Sequence, residues 1–231
     1  MIPKLSRIFI IGFIICTSSC NDKVSDDFQT FNLDEGSKQW LYSGNEGDVL
    51  YLMDTLKNQI SIVLKRERSE YLEATTTTDW FGWSSIIIAE YERISQHFSF
   101  NNGMDLYISM SAESQPENCE MQISFDSNTV LNVRIIPNST KLTRVTIYQP
   151  EDENGIRSGS SVINDRINST LVYYDSLILN NKSYFDVLEF ELRDLYRDTD
   201  ELSVVSFSIA KEVGLLKYSL KNGLSYERVV K

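Results

Sequence analysis

Few residues of this chain have side chains that could catalyse a reaction. His97 is the only histidine, which excludes the common zinc sites built from several histidines. A hydrolase with a histidine base would depend on this residue, and Cys119 could be its nucleophile. Neither residue lies in a recognisable nucleophile signature, and the Gly-x-Ser-x-Gly pattern is absent. We therefore expect His97 to be structural and Cys119 to begin a strand as a small buried residue.

Two other patterns of reactive residues are less specific. Ser208 and Lys211 have the Ser-x-x-Lys spacing of one class of acyl enzymes, but residues three apart share a face only on a helix. The acidic runs at 151–153 and 198–201 could ligate calcium, yet neither has the twelve-residue spacing of an EF-hand. We expect solvated charge in both runs. The sequence therefore predicts no catalytic residue, no metal site and no cofactor.

The densest aromatic cluster consists of Trp80, Phe81 and Trp83. In one interpretation, one tryptophan fills the core and the other caps the end of a strand. In the other, a loop presents the rings to a glycan or an apolar ligand, as aromatic side chains often do in binding sites. These three residues are the candidate ligand-binding residues of the sequence.

The elements that must position these residues are strands. Apolar and polar residues alternate over 104–110, 131–135, 188–192 and 205–209, which places each apolar set on one face of a sheet. Further strand candidates lie at 49–54, 60–72, 84–94, 120–125, 142–148, 171–179, 214–220 and 225–230. Turn residues at 101–103, 180–181 and 221–223 separate strands at hairpin spacing. We predict a mainly β fold with few helices, a single antiparallel domain over 37–231 with a curved sheet, open barrel or sandwich, and an acidic loop at 150–161.

The first twenty residues have the features of an export signal. Lys4 and Arg7 precede an apolar run from Ile8 to Cys16 that is too short to span a bilayer, and three small residues then lead to Cys20. The stretch 17–20 resembles the lipobox of bacterial lipoproteins, with Thr17 where that family most often has Leu. The resemblance implies that residues 1–19 are a signal peptide and that Cys20 is lipidated and begins the mature chain.

Two alternatives to this interpretation remain open. An ordinary secretory signal cleaved earlier would leave Cys20 free to pair with Cys119. The acidic segment 20–36, interpreted as a tether, contains Ser25, Asp26 and Asp27, which resemble the cluster that marks surface export in some groups of lipoproteins; the other interpretation is a plain polar linker. We expect an exported protein anchored in the cell envelope, at the outer membrane, facing the periplasm or the surface.

Charge limits the class of partner. The chain carries a net charge of −11, and loss of Lys4 and Arg7 with the signal would leave −13. Nucleic acids are disfavoured because nonspecific binding to phosphate requires clustered Lys and Arg. We expect contact with the membrane through the lipid anchor alone, and a glycan, an apolar ligand or a protein as partner.

A second resemblance concerns the C-terminal third. The segments Tyr184–Val187 and Ala210–Lys217 resemble a pattern near the end of uncharacterised bacterial lipoproteins, in which a strand ends in Ala, a few residues and Gly before a final hairpin. Ile209 occupies a position that is aromatic or aliphatic in that pattern. The resemblance implies a fold rather than an activity. In physical terms, Gly214 would lie at a bulge or tight bend.

These observations favour a tethered, non-catalytic binding or interaction module. One alternative is a lipoprotein or lipid carrier with an apolar sheet face. The other is a carboxylate-dependent periplasmic or surface hydrolase, which the single histidine and the absence of nucleophile motifs disfavour.

Overall fold

The computed structural model describes residues 29–80, 83–112, 119–126, 130–137, 140–151, 157–162, 169–193 and 201–229. The chain divides into two compact units. The smaller unit comprises Met1–Gln29 and Glu73–Ala89, and its described part consists of strand backbone. The larger unit comprises Thr30–Leu72 and Glu90–Lys231 and contains the other elements.

Strands account for almost all of the described elements, and the predicted antiparallel, mainly β fold with few helices is confirmed. The one helix of the described segments is α1 (Glu35–Lys38). The strands are β1 (Gln29–Phe31), β2 (Val49–Asp54), β3 (Gln59–Trp80), β4 (Trp83–Phe100), β5 (Asp105–Ser111), β6 (Glu120–Asp126), β7 (Val130–Ile136), β8 (Lys141–Glu151), β9 (Arg157–Val162), β10 (Ser169–Leu179), β11 (Lys182–Leu192), β12 (Val204–Ala210), β13 (Gly214–Leu220) and β14 (Ser225–Val229).

All strands belong to one sheet, in the order β10-β11-β12-β13-β14-β2-β3-β4-β5-β6-β7-β8-β9, with β1 paired to β4. Within the larger unit the sheet curls around one main core, and a second, smaller cluster of buried side chains comprises Leu179, Tyr184, Val187, Ala210 and Leu216. Phe125 of β6 lies 5.5 Å from Phe207 of β12 and 6.1 Å from Tyr218 of β13, measured between ring centroids, although these strands are far apart in the sheet order. In this unit the curved sheet is therefore nearly, but not fully, closed into a barrel.

The alternation seen in the sequence produces this core. In β6, Met121, Ile123 and Phe125 are fully buried while the intervening side chains are partly exposed. Strands β2, β5 and β7 repeat the pattern in the residues that face inward. Aromatic side chains fill the middle of the core, and Phe190 stacks on Phe207 at 5.1 Å. Core burial of this kind is the main source of stability expected for an antiparallel sheet.

Two expectations from the sequence differ from the structure. The predicted loop at 150–161 contains the end of β8 and most of β9, and Thr146 pairs with Ser161. Strand β9 has the sequence Arg-Ser-Gly-Ser-Ser-Val and therefore lacks the apolar alternation that identifies a half-buried strand. The segment 29–36, expected in the tether, contains β1 and the start of α1, and Leu33 is buried in the core.

Candidate functional site

His97 and Cys119 lie on opposite faces of the sheet. His97 points outward between the buried Gln96 and Phe98, and its ring stacks on Tyr107 with centroids 4.4 Å apart. Its Nε2 atom is 3.2 Å from Asp105 Oδ1, without the alignment of a hydrogen bond. Cys119 is 3 % exposed and belongs to the core cluster. The two side chains therefore do not form a nucleophile and base pair, and Cys119 precedes β6 as a buried residue.

Ser208 and Lys211 are likewise not brought together. Ser208 is buried within β12, whereas Lys211 follows the end of that strand. Lys211 Nζ lies 5.2 Å from the centroid of the Trp40 ring and 3.9 Å from Asp186 Oδ1. An aromatic ring and a carboxylate thus hold this cation. The Ser-x-x-Lys spacing does not form an acyl-transfer site here.

The remaining sequence candidates lie largely outside the described residues. Trp80 ends β3 and Trp83 begins β4, but their side chains are not described, and Phe81 and Cys20 are themselves outside the described ranges. Of the acidic runs, Glu151 ends β8 and Glu201 lies in a turn. Within the segments that the structure describes, no group of three or more His, Cys, Asp or Glu residues could hold a metal ion.

The first notable polar arrangement fastens the segment 33–43 to the larger unit. Asp34 caps α1 by accepting a 2.8 Å hydrogen bond from the backbone N–H of Ser37. The buried carboxylate of Glu92 accepts from the backbone N–H of Leu33 at 2.9 Å and lies 3.3 Å from Lys38 Nζ. Leu33, Trp40 and Leu41 are buried. The segment is therefore part of the core. The Glu92 carboxylate has a structural role, because it binds the Leu33 N–H and Lys38 Nζ.

Gln96 of β4 completes this attachment. Its side-chain Oε1 accepts from the backbone N–H of Tyr42 at 3.0 Å, and its Nε2 donates to the Tyr42 carbonyl at 2.7 Å. Nε2 also donates to Glu67 Oε2 at 2.6 Å. One buried amide therefore satisfies both backbone groups of Tyr42, which would otherwise cost free energy on burial.

The segment 33–43 also contacts the turn between β12 and β13. Tyr42 forms a parallel bridge with Glu212, and the Ser43 backbone N–H and hydroxyl both donate to the Glu212 carbonyl. Gly214 has φ +74, and a Cβ at this position would lie 3.2 Å from Tyr42 Cβ. The Ala210-to-Gly214 pattern in the sequence therefore forms a tight turn, with the expected bend at Gly214, onto which the segment packs.

Arg228 lies beside this contact. Its guanidinium is 5.7 Å from the Tyr42 ring centroid, and Nη1 donates to the Val213 carbonyl. Burial lowers the pKa of Arg228. The Tyr42 hydroxyl donates to Asp48 Oδ2 at 3.1 Å, and burial together with that carboxylate raises the pKa of Tyr42. These groups hold one another in place and stabilise the attachment of the segment.

The second notable feature is an exposed apolar surface on the β10–β11 hairpin. Of ten large apolar side chains that are exposed in the described parts of the chain, five lie on this hairpin. Val172, Tyr174 and Ile178 share one face of β10, and Phe185 lies on the same face because it pairs with Ser176. We call these four residues the hairpin face. Ile178 and Phe185 are 69 % and 66 % exposed.

Tyr173 projects from the other face of β10. Its hydroxyl donates a short hydrogen bond to Asp186 Oδ1, and this interaction raises the pKa of Tyr173 to about 12. Asp186 itself has φ +52, which interrupts the regular path of β11. The hairpin thus exposes apolar side chains on one face and a tyrosine–aspartate pair on the other.

The sequence predicts a strand at β10 but not the exposed apolar surface of that strand. The segment 171–174 reads Leu-Val-Tyr-Tyr, so apolar residues occupy both faces instead of alternating with polar ones. A continuous apolar run is ordinarily expected in a strand buried on both sides. Here it lies at the edge of the sheet, because β10 is the first strand in the sheet order and pairs with β11.

Comparison with known proteins adds no relative. No protein-family model, curated protein or solved structure matches this chain. Among the described residues, no helix is long and apolar enough to cross a membrane.

Proposed function

We propose that the chain is an exported lipoprotein, anchored through Cys20, that acts as a non-catalytic binding module and uses the hairpin face to contact its partner. The concentration of exposed apolar side chains on one hairpin carries the proposal of binding. Exposed apolar patches on otherwise polar proteins typically mark interaction sites. The resemblance of residues 17–20 to a lipobox supports the anchor.

The buried carboxylates favour binding over hydrolysis. Asp54 and Glu92 are the buried acidic residues of the described segments. Asp54 accepts from the backbone N–H groups of Leu56 and Asn58, whereas Glu92 binds Leu33 and Lys38. A glycosidase needs two carboxyl groups that face each other across the scissile bond. These two carboxylates instead belong to separate structural networks.

The packing of the core favours a binding surface over a carrier. A lipid carrier would need room along the apolar face of its sheet. In the larger unit, Phe98, Phe125, Phe190, Phe207 and Tyr218 are each at most 2 % exposed. Their rings occupy the inner face of the sheet, so an apolar ligand would have to displace them.

The anchor is tested by fractionating cells that express the full chain. We expect the native chain in the membrane fraction and Cys20→Ser in the soluble fraction, because removing the acyl chains removes the apolar area that holds the protein at the bilayer. Cys16→Ser is the matched control and should remain in the membrane. Mass spectrometry of the native chain should detect lipid on Cys20. Membrane retention of Cys20→Ser would contradict the anchor.

The binding role is tested with a photo-crosslinking amino acid placed at Phe185 in intact cells. We expect a discrete covalent adduct, since this side chain would lie in the interface. The same amino acid at Leu56, which is 73 % exposed in the turn after β2, is the control and should give no discrete adduct. Equal labelling at both positions, or none at Phe185, would contradict binding through the hairpin face.

A further inference from the structure

We propose that the partner of the hairpin is a second copy of this chain, and that β10 pairs with β10 of that copy in an antiparallel ladder about a two-fold axis. This inference rests on the proposed binding role of the hairpin, names its partner and places the contact along β10, which carries Val172, Tyr174 and Ile178 of the hairpin face. It follows from the free edge of β10, from the composition of that strand and from the register that its sequence allows.

The edge of β10 lacks the features that usually prevent pairing with another chain. Edge strands are commonly short, or carry Lys, Pro or several charges. Strand β10 has eleven residues, and Asp175 is its one charged residue. In the described part of the chain, β10 pairs with β11 on one side and with no strand on the other. At about 3.3 Å per residue, it offers an edge about 36 Å long.

Symmetry restricts the register of such a pair. A two-fold axis that relates antiparallel strands stands perpendicular to the sheet, so equivalent side chains of the two copies lie on the same face. Since residues opposite each other also share a face, the axis must pass midway between one residue and its own counterpart in the second copy. Any residue of β10 could be this centre, but only centres near the middle of the strand keep a long ladder, and these differ in what they place opposite Asp175.

A centre at Tyr174 gives a self-complementary register. Tyr174 then faces its own counterpart, and Leu171 faces Leu177 of the second copy. Asp175 faces Tyr173, whose hydroxyl already donates to a carboxylate in this structure. Aromatic and aliphatic cross-strand pairs stabilise an antiparallel ladder by roughly 0.2–1 kcal/mol each.

The neighbouring centres are less favourable. A centre at Asp175 places the two Asp175 carboxylates directly opposite each other, and like charges in that position destabilise a ladder. A centre at Tyr173 places Asp175 opposite Leu171, which leaves a carboxylate against an apolar side chain. The sequence of β10 therefore favours Tyr174 as the central residue of the ladder.

The acidic character of the chain weakens this association at low salt but does not prevent it. Glu189 and Glu191 lie on β11, one strand from the new interface. The two β11 strands of the dimer would be about 14 Å apart at a strand spacing of about 4.8 Å. This separation exceeds the screening length of about 8 Å at physiological ionic strength. We expect the dimer to become tighter as salt is added.

Cysteine crosslinking of the full chain tests the register. With a cysteine at the centre, the two sulfur atoms lie within disulfide reach, so mild oxidation of Tyr174→Cys should give a covalent dimer. Ser176→Cys is the matched control, because its sulfur atoms would be separated by four residues of strand, about 13 Å. The native cysteines should give no dimer under the same conditions. Equal crosslinking of the two variants would overturn the register.

Sedimentation of the full chain in detergent tests the association itself. We expect a reversible dimer that Tyr174→Lys weakens about tenfold or more, since central aromatic residues often dominate an interface. Tyr107→Lys, which changes an exposed tyrosine of β5, is the control and should leave the dimer intact. A monomer at all concentrations, or a dimer indifferent to Tyr174→Lys, would overturn the inference. If sedimentation shows a monomer and photo-crosslinking at Phe185 captures a different molecule, the partner is not a second copy of the chain. The proposed binding function would still stand in that case.

Discussion

Gly214 and Tyr42 are so close that a side chain at position 214 would have to push Tyr42 aside. Gly214 has φ +74, and a Cβ there would lie 3.2 Å from Tyr42 Cβ and 3.8 Å from its Cα. The two residues are far apart in sequence, yet Tyr42 pairs with Glu212 in the turn that ends at Gly214. This contact joins the segment 33–43 to the C-terminal part of the sheet.

Gly214→Ala should therefore destabilise the protein in two ways. The left-handed conformation costs an alanine roughly 1–2 kcal/mol, and displacement of Tyr42 adds to that loss. The measurement is the free energy of unfolding in urea. Gly223→Ala is the matched control, because Gly223 has φ +87 but nothing within 4 Å of the added Cβ. We expect a larger loss at 214 than at 223; equal losses would show that contact with Tyr42 does not contribute.

Gln96→Leu should loosen the segment 33–43 more than it affects the rest of the sheet. The substitution leaves the N–H and carbonyl groups of Tyr42 without their partners, and each unsatisfied buried group costs about 1–3 kcal/mol. Hydrogen exchange should show faster exchange of the Tyr42 amide than in the native chain, with little change for amides in β6. Gln122→Leu, which alters an outward-facing glutamine of β6, is the control. Unchanged exchange at Tyr42 would contradict this role of Gln96.

The alkaline limit of stability should depend on Tyr218. Burial raises the pKa of Tyr218 above its ordinary value of 10.0. In the unfolded chain the group ionises as the pH passes 10, while in the folded chain it stays protonated, so its contribution is fully present below pH 10 and is lost above it. The expected loss is about 1.4 kcal/mol per pH unit until the folded group also ionises. Urea unfolding at several pH values measures this slope.

Tyr218→Phe should remove that contribution. We expect the variant and the native chain to have similar free energies of unfolding at pH 7, since the ring and its packing are retained. Above pH 10 the free energy of the variant should fall less steeply. Parallel curves for the two chains between pH 10 and 12 would contradict the assignment to Tyr218.

The strands could be predicted where side chains alternate between core and solvent. In β6, Met121, Ile123 and Phe125 face the core in the order that the sequence indicates. The edge strand β9 could not be predicted in this way, because its serines and glycine give no apolar period. Alternation reports which face of a strand is buried, and an edge strand without a buried apolar face gives no such signal.

The attachment of the segment 33–43 could not be predicted for a different reason. Tyr42 and its partner Gln96 are 54 residues apart, and Glu212 is more distant still. No local sequence pattern around Gln96, or in the turn that contains Glu212, indicates that Tyr42 is the residue each of them contacts. The pattern around Gly214 did indicate a tight bend, but only the structure shows that Tyr42 packs against it.

The attachment of the segment 33–43 would have a mechanical consequence if the chain is held at its amino-terminal end, as we propose. A pulling force on the residues before Gln29 would first meet the pairing of β1 with β4, then the segment, and only then the other ladders of the sheet. The bonds from Glu92 to Leu33, and from Gln96 and Glu212 to residues 39–43, would carry the load in turn. Once β1 has separated from β4, these bonds carry the force before the other ladders do, so the segment would detach before the remaining strands separate. The segment would then extend while the remaining strands stay paired, so the chain would lengthen before the sheet unfolds.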